Sequence, residues 1–288
     1  MSNIKQWVLA TRPKTLPIGA CPVIIGLSIA SQSGPIDWNV GSITLLCSIL
    51  LQIGANLAND YFDHQKGGDT DQRLGPTRAI KAGLISEHAI KRAMTSVFSI
   101  TFLLGLSLVY HAGWPILVIG LVSIGFGLLY TATPFSLAYT GTADIFAFLF
   151  FGPIAVLGTV YVQRLIWDVS GLEISVAVGL IAMSILVVNN LRDANEDRQT
   201  GKKTLIVRWG SRFGKAIYTL CLVGAFGLLL TYTFSESWII FPLSALLLLM
   251  LHLIRKVWIY PPEKLNPILG QTGIYLVLLT LIFCIRNS

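Results

Sequence analysis

Charge is what this chain of 288 residues has least of. Only 12% of it is Asp, Glu, Lys or Arg, against roughly a quarter in soluble domains. The remainder is 54% hydrophobic, with a mean hydropathy of +0.70. This excludes an ordinary soluble domain and implies an integral membrane protein. No polar linker is long enough to divide the chain into soluble domains. Cysteine is also sparse: Cys21, Cys47, Cys221 and Cys284 are scattered through apolar runs, with no Cys-x-x-Cys pair. A zinc site and a disulfide framework are thereby excluded, and the thiols read as packing residues. No soluble basic domain exists to carry nucleic-acid binding. The net charge of +7 instead suits loops lying beside anionic lipid.

Long apolar runs are abundant. Nine are long enough to span a bilayer as helices, at about 15–33, 40–62, 89–110, 114–131, 143–163, 172–191, 215–234, 237–257 and 267–285. A backbone in lipid must satisfy its own hydrogen bonds, so the expected fold is all-α. The first run resembles a signal peptide in outline, but Pro17 and Pro22 within it and the spans that follow favour a retained helix. With the N-terminus in the cytoplasm, 19 of the 21 Lys and Arg residues fall in cytoplasmic segments, leaving Arg164 and Arg286 outside. That bias sets the expected orientation. The expectation is therefore a single domain over 1–288: nine transmembrane helices in one bundle around a central cavity. Helices around 40–131 and 172–257 echo one another weakly, as in an internal duplication with a site at the repeat interface.

Seven of the fourteen acidic residues gather in two places. Asp60, Asp63, Asp69 and Asp71 follow the second apolar run, and Asp193, Glu196 and Asp197 follow the sixth. By the even spacing of four helices, both clusters face the cytoplasm. On a helix, Gln52, Asn56, Asn59, Asp60 and Asp63 share one face, as do Asn189, Asp193 and Asp197. Ionisable groups at membrane depth are costly and mark functional sites by default. Close carboxylates repel unless a cation joins them, and Mg2+ favours carboxylates together with substrate phosphate oxygens. Asp60, Asp63, Asp193 and Asp197 supply the carboxylates, with Asn56, Asn59 and Asn189 coordinating or orienting them. Lys66, Arg73, Arg78, Lys202 and Lys203 follow each cluster and can meet remaining phosphate charge. The bland alternative is a pair of solvated helix ends whose cations serve topology alone.

Asn59-Asp60-x-x-Asp63 and Asp193-x-x-x-Asp197 resemble the two aspartate-rich motifs of the UbiA superfamily of intramembrane prenyltransferases. The similarity is closest to the branch that prenylates 1,4-dihydroxy-2-naphthoate in menaquinone synthesis. It is carried by Arg12-Pro-Lys14-Thr-Leu-Pro17, Arg73-Leu-Gly75-Pro76-x-Arg78, Tyr130-Thr-Ala-Thr-Pro134, Leu137-Ala-Tyr139, Asn189-Asn190-Leu-Arg192-Asp193 and Gly201-Lys202-Lys203-Thr204-Leu205. It runs from about residue 5 to the last helix. Where the superfamily often has a third Asp, this chain has Gly67, and the next acid is Asp69.

The resemblance implies transfer of a polyprenyl group from an allylic polyprenyl diphosphate to the naphthoate, with loss of its carboxylate, giving a demethylmenaquinone. It implies Mg2+ held by Asp60, Asp63, Asp193 and Asp197, with Asn56 and Asp69 as further ligands and Asn59 and Asn189 beside them. Arg12, Lys14, Tyr130, Tyr139, Asn190 and Arg192 are the implied acceptor-binding residues. Tyr61, Tyr130, Tyr139 and Phe148 are candidates for shielding the allylic cation. The implied location is the bacterial inner membrane, with the site opening to the cytoplasm and lipid around it, and no protein partner is indicated. Two alternatives stay open, a superfamily member with another aromatic acceptor and a cation-coupled transporter. A CDP-alcohol phosphotransferase is disfavoured because its Asp-Gly-Ala-Arg signature is missing.

Overall fold

A computed structural model describes residues 4–67, 74, 75, 78–132, 136–233 and 239–287. Every regular element among them is helical: α1 (Ile4–Thr11), α2 (Leu16–Gln32), α3 (Trp38–Gln65), α4 (Glu87–Ala112), α5 (Trp114–Leu129), α6 (Leu137–Thr140), α7 (Ala143–Leu149), α8 (Ala155–Arg164), α9 (Leu172–Gln199), α10 (Leu205–Thr233), α11 (Ile240–Ile259) and α12 (Asn266–Arg286). Eight stretches are long and apolar enough to cross a membrane, counting α1 with α2 and α7 with α8 as single stretches. Large apolar side chains such as Leu103, Leu220, Leu248 and Phe241 stand exposed on the outside, as a surface bathed in lipid tails allows.

Local chemistry sets the helix starts. Asp37 caps α3, its Oδ1 accepting from the backbone N–H groups of Asn39 at 2.9 Å and Val40 at 3.1 Å. Ser86 caps α4 through Ala89 N–H at 3.3 Å. Such caps satisfy amides that have no partner within the helix. The run expected over 114–131 is shorter in the structure, α5 having 16 residues, or roughly 24 Å at 1.5 Å per residue. It stops where Ser136 Oγ donates to the Tyr130 carbonyl at 2.8 Å, turning the chain. Residues 143–164 are not one continuous helix either. Gly152 (φ −106°, ψ −108°) and Pro153 break it with a π-turn. A Cβ on Gly152 would lie 2.7 Å from Gly179 Cα, so this break also lets α9 pack closely.

Two further departures bear on the site. Residues 4–11 form a helix of their own, which ends at Arg12 in the left-handed region (φ 51°, ψ 69°). Asn56 and Gln52 on α3 hold the break that follows: Asn56 Nδ2 donates to Thr11 O at 2.9 Å and Thr15 Oγ1 at 3.0 Å, and Gln52 Nε2 to Thr15 Oγ1 at 3.3 Å. The basic segment after the sixth run is mostly helical, since α9 continues to Gln199 and α10 begins at Leu205 with a kink at Gly210 (φ 87°). The core centres on α9, packed among α2, α7, α10 and α12.

Candidate active site

Asp60 and Asp63 lie within α3, and Asp193, Glu196 and Asp197 within α9, so their spacing becomes geometry. Gln52, Asn56, Asp60 and Asp63 are buried on α3, and Asp193, Glu196 and Asp197 on α9. Asp63 is fully buried, and its Oδ2 accepts from Arg78 Nη2 at 2.5 Å. The same oxygen lies 3.3 Å from Lys202 Nζ, which is also 4.0 Å from Asp197 Oδ1. One ammonium therefore sits between a carboxylate of each cluster. Arg78 Nη2 also donates to Asn59 Oδ1 at 3.2 Å, and the Ala79 amide to Asp60 Oδ2 at 3.0 Å. The first cluster thus clasps the chain that returns from the basic loop.

The second cluster is built around Arg192. Its guanidinium is buried and donates to Asp193 Oδ1 at 2.7 Å and Oδ2 at 2.6 Å, to Asn189 Oδ1 at 2.7 Å and to Asn266 Oδ1 at 2.8 Å. A forked pair of this kind fixes a carboxylate's orientation. Arg192 is one of the residues expected at the acceptor. In this structure its guanidinium is engaged with Asp193, Asn189 and Asn266. Asn56, expected as a ligand, uses its amide nitrogen to hold the α1–α2 break.

Tyr139 lies between the cations. Lys66 Nζ stands 4.2 Å from its ring centroid and Lys202 Nζ 5.8 Å. A close approach makes this possible. Gly141 has φ +78°, and a Cβ there would fall 2.6 Å from the Lys203 carbonyl. Arg208 fastens the approach, donating to Lys203 O at 3.0 Å and Thr140 O at 2.7 Å. Lys66 also donates to the Thr131 carbonyl. Partial burial is the largest influence on the Lys66 ammonium and lowers its pKa, with Lys202 pulling the same way and Asp63 opposing. Tyr130 closes the site just beyond α5. Burial raises its phenol above the ordinary range, and the charges of Asp144, Asp197 and Asp63 add to this while Arg12 opposes.

The other expected residues are less central. Lys14 and Lys203 are exposed. Asp69, Asp71 and Arg73 lie outside the described residues. Tyr61 packs edge-on to Phe62 with Lys91 on its face, which places it on the α4 side of α3. Phe148 packs over Gly179. The aromatic cluster beside Tyr130 is instead Phe126, Phe146 and Phe150. Phe126 stacks on Phe150 at 4.8 Å and on Phe146 at 5.6 Å, and meets the Tyr130 ring edge-on at 6.2 Å. Phe126 and Phe150 also line an apolar cavity bounded by α3, α4, α5 and α8, which reaches Gln52 and Ala55 just below the polar stripe of α3.

This donor set suits Mg2+ that arrives with a phosphorylated ligand. Among the described residues no three acidic, His or Cys side chains close a ready-made cage. Mg2+ commonly uses one or two carboxylates, waters and substrate phosphates instead. The UbiA prenyltransferase family model matches residues 20–269. The chain belongs to the UbiA prenyltransferase family. Among related proteins, the 1,4-dihydroxy-2-naphthoate octaprenyltransferase of Haemophilus influenzae is 33% identical, over 98% of this chain and 95% of its own. The enzyme of the same name from Escherichia coli is 36% identical over 78% and 75% respectively, and that of Mycobacterium tuberculosis 35% over 85% and 84%. The fold matches a UbiA homologue from Aeropyrum pernix with a TM-score of 0.70 at 13% identity, covering 93% of this chain and 97% of that one. It also matches one from Archaeoglobus fulgidus, solved with GPP and Mg2+, with a TM-score of 0.67 at 15% identity over 98% and 99%.

Within this UbiA family member, three residues of the site lie outside the sequence motifs. Asn266 joins the second cluster to the first loop, since it accepts from Arg192 and donates to the Leu74 carbonyl at 2.6 Å. Arg208 seats α6 against Lys203. Asp144 is 1% exposed and accepts from Asn190 Nδ2 at 3.3 Å. Asp144 does carry a signal, being a lone acid at the head of an apolar run. Asn266 and Arg208 carry none beyond their polarity.

Proposed function

We propose that this chain transfers a polyprenyl group from an allylic polyprenyl diphosphate to 1,4-dihydroxy-2-naphthoate, giving demethylmenaquinone in its quinol form, carbon dioxide and diphosphate. One observation supports this above the others: Lys202 stands between Asp63 and Asp197, so two motifs 134 positions apart converge on one point. The names of the relatives support the substrates. Asp60, Asp63, Asp193 and Asp197 hold Mg2+, with Asn59 and Asn189 orienting them and Asp69 a further ligand. Bound there with the donor, the ion supplies Lewis acidity that stabilises the departing diphosphate.

The protein's own groups do the rest. Arg78 and Lys202 neutralise carboxylates before the donor binds and turn to phosphate oxygens afterwards. Lys66, Arg73 and Lys203 add positive charge at the mouth. The prenyl tail runs from the α3 stripe into the apolar cavity past Ala55. Phe126, Phe150 and Tyr130 shield the allylic carbon from water and present π-faces to developing positive charge. Arg12 and Lys14 draw in the acceptor carboxylate, and Tyr130, Tyr139 and Asn190 bound the acceptor's space. The ring carbon attacks the allylic carbon as the C–O bond to diphosphate breaks. The carboxylate then leaves as carbon dioxide, returning its electron pair to the ring.

We further propose nine membrane crossings, α5 included, with the N-terminus and the site mouth on the cytoplasmic face of the bacterial inner membrane. The distribution of 19 of 21 basic residues supports this. Titrating geranyl diphosphate with Mg2+ into the purified protein tests the shared site. Asp63→Asn and Asp197→Asn are each expected to weaken binding by roughly a hundredfold, on the scale of a lost charged contact. Unchanged binding when only one cluster is altered contradicts a shared site.

A further inference from the structure

Asp144 is a buried acid that belongs to neither aspartate motif and that the proposed reaction leaves without a task. It is the second residue of α7, placed beside α9 by the packing of Phe148 over Gly179. Asn190 donates to its Oδ1 at 3.3 Å, while its buried Oδ2 has no hydrogen-bond partner among the described residues. A buried polar oxygen left unsatisfied forfeits its hydration without compensation, so such an atom calls for an absent donor. Its place is given by the same helix: Phe146, two residues on, stacks on Phe126, which meets the Tyr130 ring edge-on, and its partner Asn190 follows Asn189 of the second cluster on α9. Asp144 therefore stands beside the second motif, at the head of the helix whose aromatic face borders Tyr130.

The chemistry of the missing donor follows. No cation is paired with Asp144 among the described residues, and no lysine or arginine lies near it in sequence. A diphosphate would be repelled there. What suits a buried carboxylate beside an amide and an aromatic cluster is a neutral O–H group on a flat ring. We propose that Asp144, steadied by Asn190, receives a hydrogen bond from a ring hydroxyl of the aromatic acceptor and so fixes which face and which carbon meets the allylic carbon. The inference rests on the acceptor reading given under Proposed function. A carboxylate accepting from a phenolic hydroxyl also pushes electron density into the ring, which helps the carbon attack. The proton stays on the acceptor oxygen in the product, because departure of carbon dioxide already balances charge.

The test pairs substrates with variants. Wild type, Asp144→Ala and Asp144→Asn are assayed with geranylgeranyl diphosphate and Mg2+ against 1,4-dihydroxy-2-naphthoate, 1-hydroxy-2-naphthoate and 4-hydroxy-2-naphthoate. Wild type is expected to lose at least about a hundredfold in kcat/KM when the hydroxyl facing Asp144 is missing, since a site built to bind a hydroxyl rejects analogues that lack it. In Asp144→Ala that loss should shrink to within a few fold, and Asp144→Asn should fall between. Donor affinity, read by geranyl diphosphate titration, should stay within about twofold of wild type. If turnover by Asp144→Ala is too slow to measure, direct titration of 1,4-dihydroxy-2-naphthoate serves. Acceptor binding weakened about tenfold with donor binding intact supports the assignment, and equal loss of both overturns it. Wild-type discrimination retained in Asp144→Ala also overturns it. Failure of wild type to prenylate any of the three naphthoates would instead refute the acceptor reading itself.

Discussion

Asp63 carries two duties that a paired substitution separates. Its carboxylate is 0% exposed, and it is held by Arg78, itself 4% exposed, at 2.5 Å. Removing one member of a buried pair strands the other charge, at a cost of about 3–5 kcal/mol. Here Asn59 Oδ1 remains as an acceptor for Arg78 at 3.2 Å, and Lys202 keeps Asp197. Asp63→Ala should therefore fall near the lower end, about 3 kcal/mol, or a melting temperature lower by on the order of 10 °C. Replacing both partners by apolar groups is often neutral, so Asp63→Leu with Arg78→Met should recover most of that loss. Prenyl transfer should vanish in both proteins. Differential scanning fluorimetry in detergent reads stability, and chromatography of the prenylated product reads transfer. A double variant no more stable than Asp63→Ala refutes the buried-pair reasoning. A double variant that still transfers prenyl groups refutes the place of Asp63 in the site.

Other expectations follow from the same geometry. Asn266→Ala should loosen Arg192 and so Asp193, lowering kcat/KM for the donor by about 10–100-fold, the usual scale for a partner behind a metal ligand, with little change in melting temperature. Gly152→Ala places a methyl group 2.7 Å from the backbone of α9 and should destabilise by about 1–3 kcal/mol, seen as a lower melting temperature. Gly120 lines the apolar cavity with open space where a side chain would stand. Gly120→Phe should therefore spare geranyl transfer yet depress transfer of long polyprenyl groups by about tenfold or more, the scale of a few lost apolar contacts. Chelation with EDTA should stop transfer, and added Mg2+ should restore it.

Much of the fold is legible in the residues alone. Apolar length marks membrane helices because lipid forbids unpaired backbone, and i, i+4 spacing puts Asp193 and Asp197 on one face whatever surrounds them. Convergence of α3 and α9 can be inferred only from their acids. Partner choice is what a sequence hides. Arg192 looks like a free cation, yet its neighbours Asp193 and Asn189 lie within reach on the same helix and Asn266 arrives from α12. Asn56 reads as a ligand, and its second task, holding the α1–α2 break through its amide nitrogen, shows only in the structure. That break leaves no trace in the pattern, because residues 4–11 are too short for a periodic signal. Aromatic identity misleads as well. Tyr61 and Phe148 suit a cation-shielding wall by composition, but helix rotation turns them toward α4 and Gly179, leaving Phe126 and Phe150 at the cavity.

The central claim is that two acidic clusters form one prenyl-transfer site. Purified protein in lipid nanodiscs, supplied with Mg2+, geranylgeranyl diphosphate and 1,4-dihydroxy-2-naphthoate, tests it most directly when wild type, Asp63→Ala and Asp193→Ala are compared by mass spectrometry. A shared site predicts a decarboxylated geranylgeranyl naphthalenediol from wild type and none from either variant. No such product from wild type, or full yield from a variant lacking one cluster's aspartate, contradicts it.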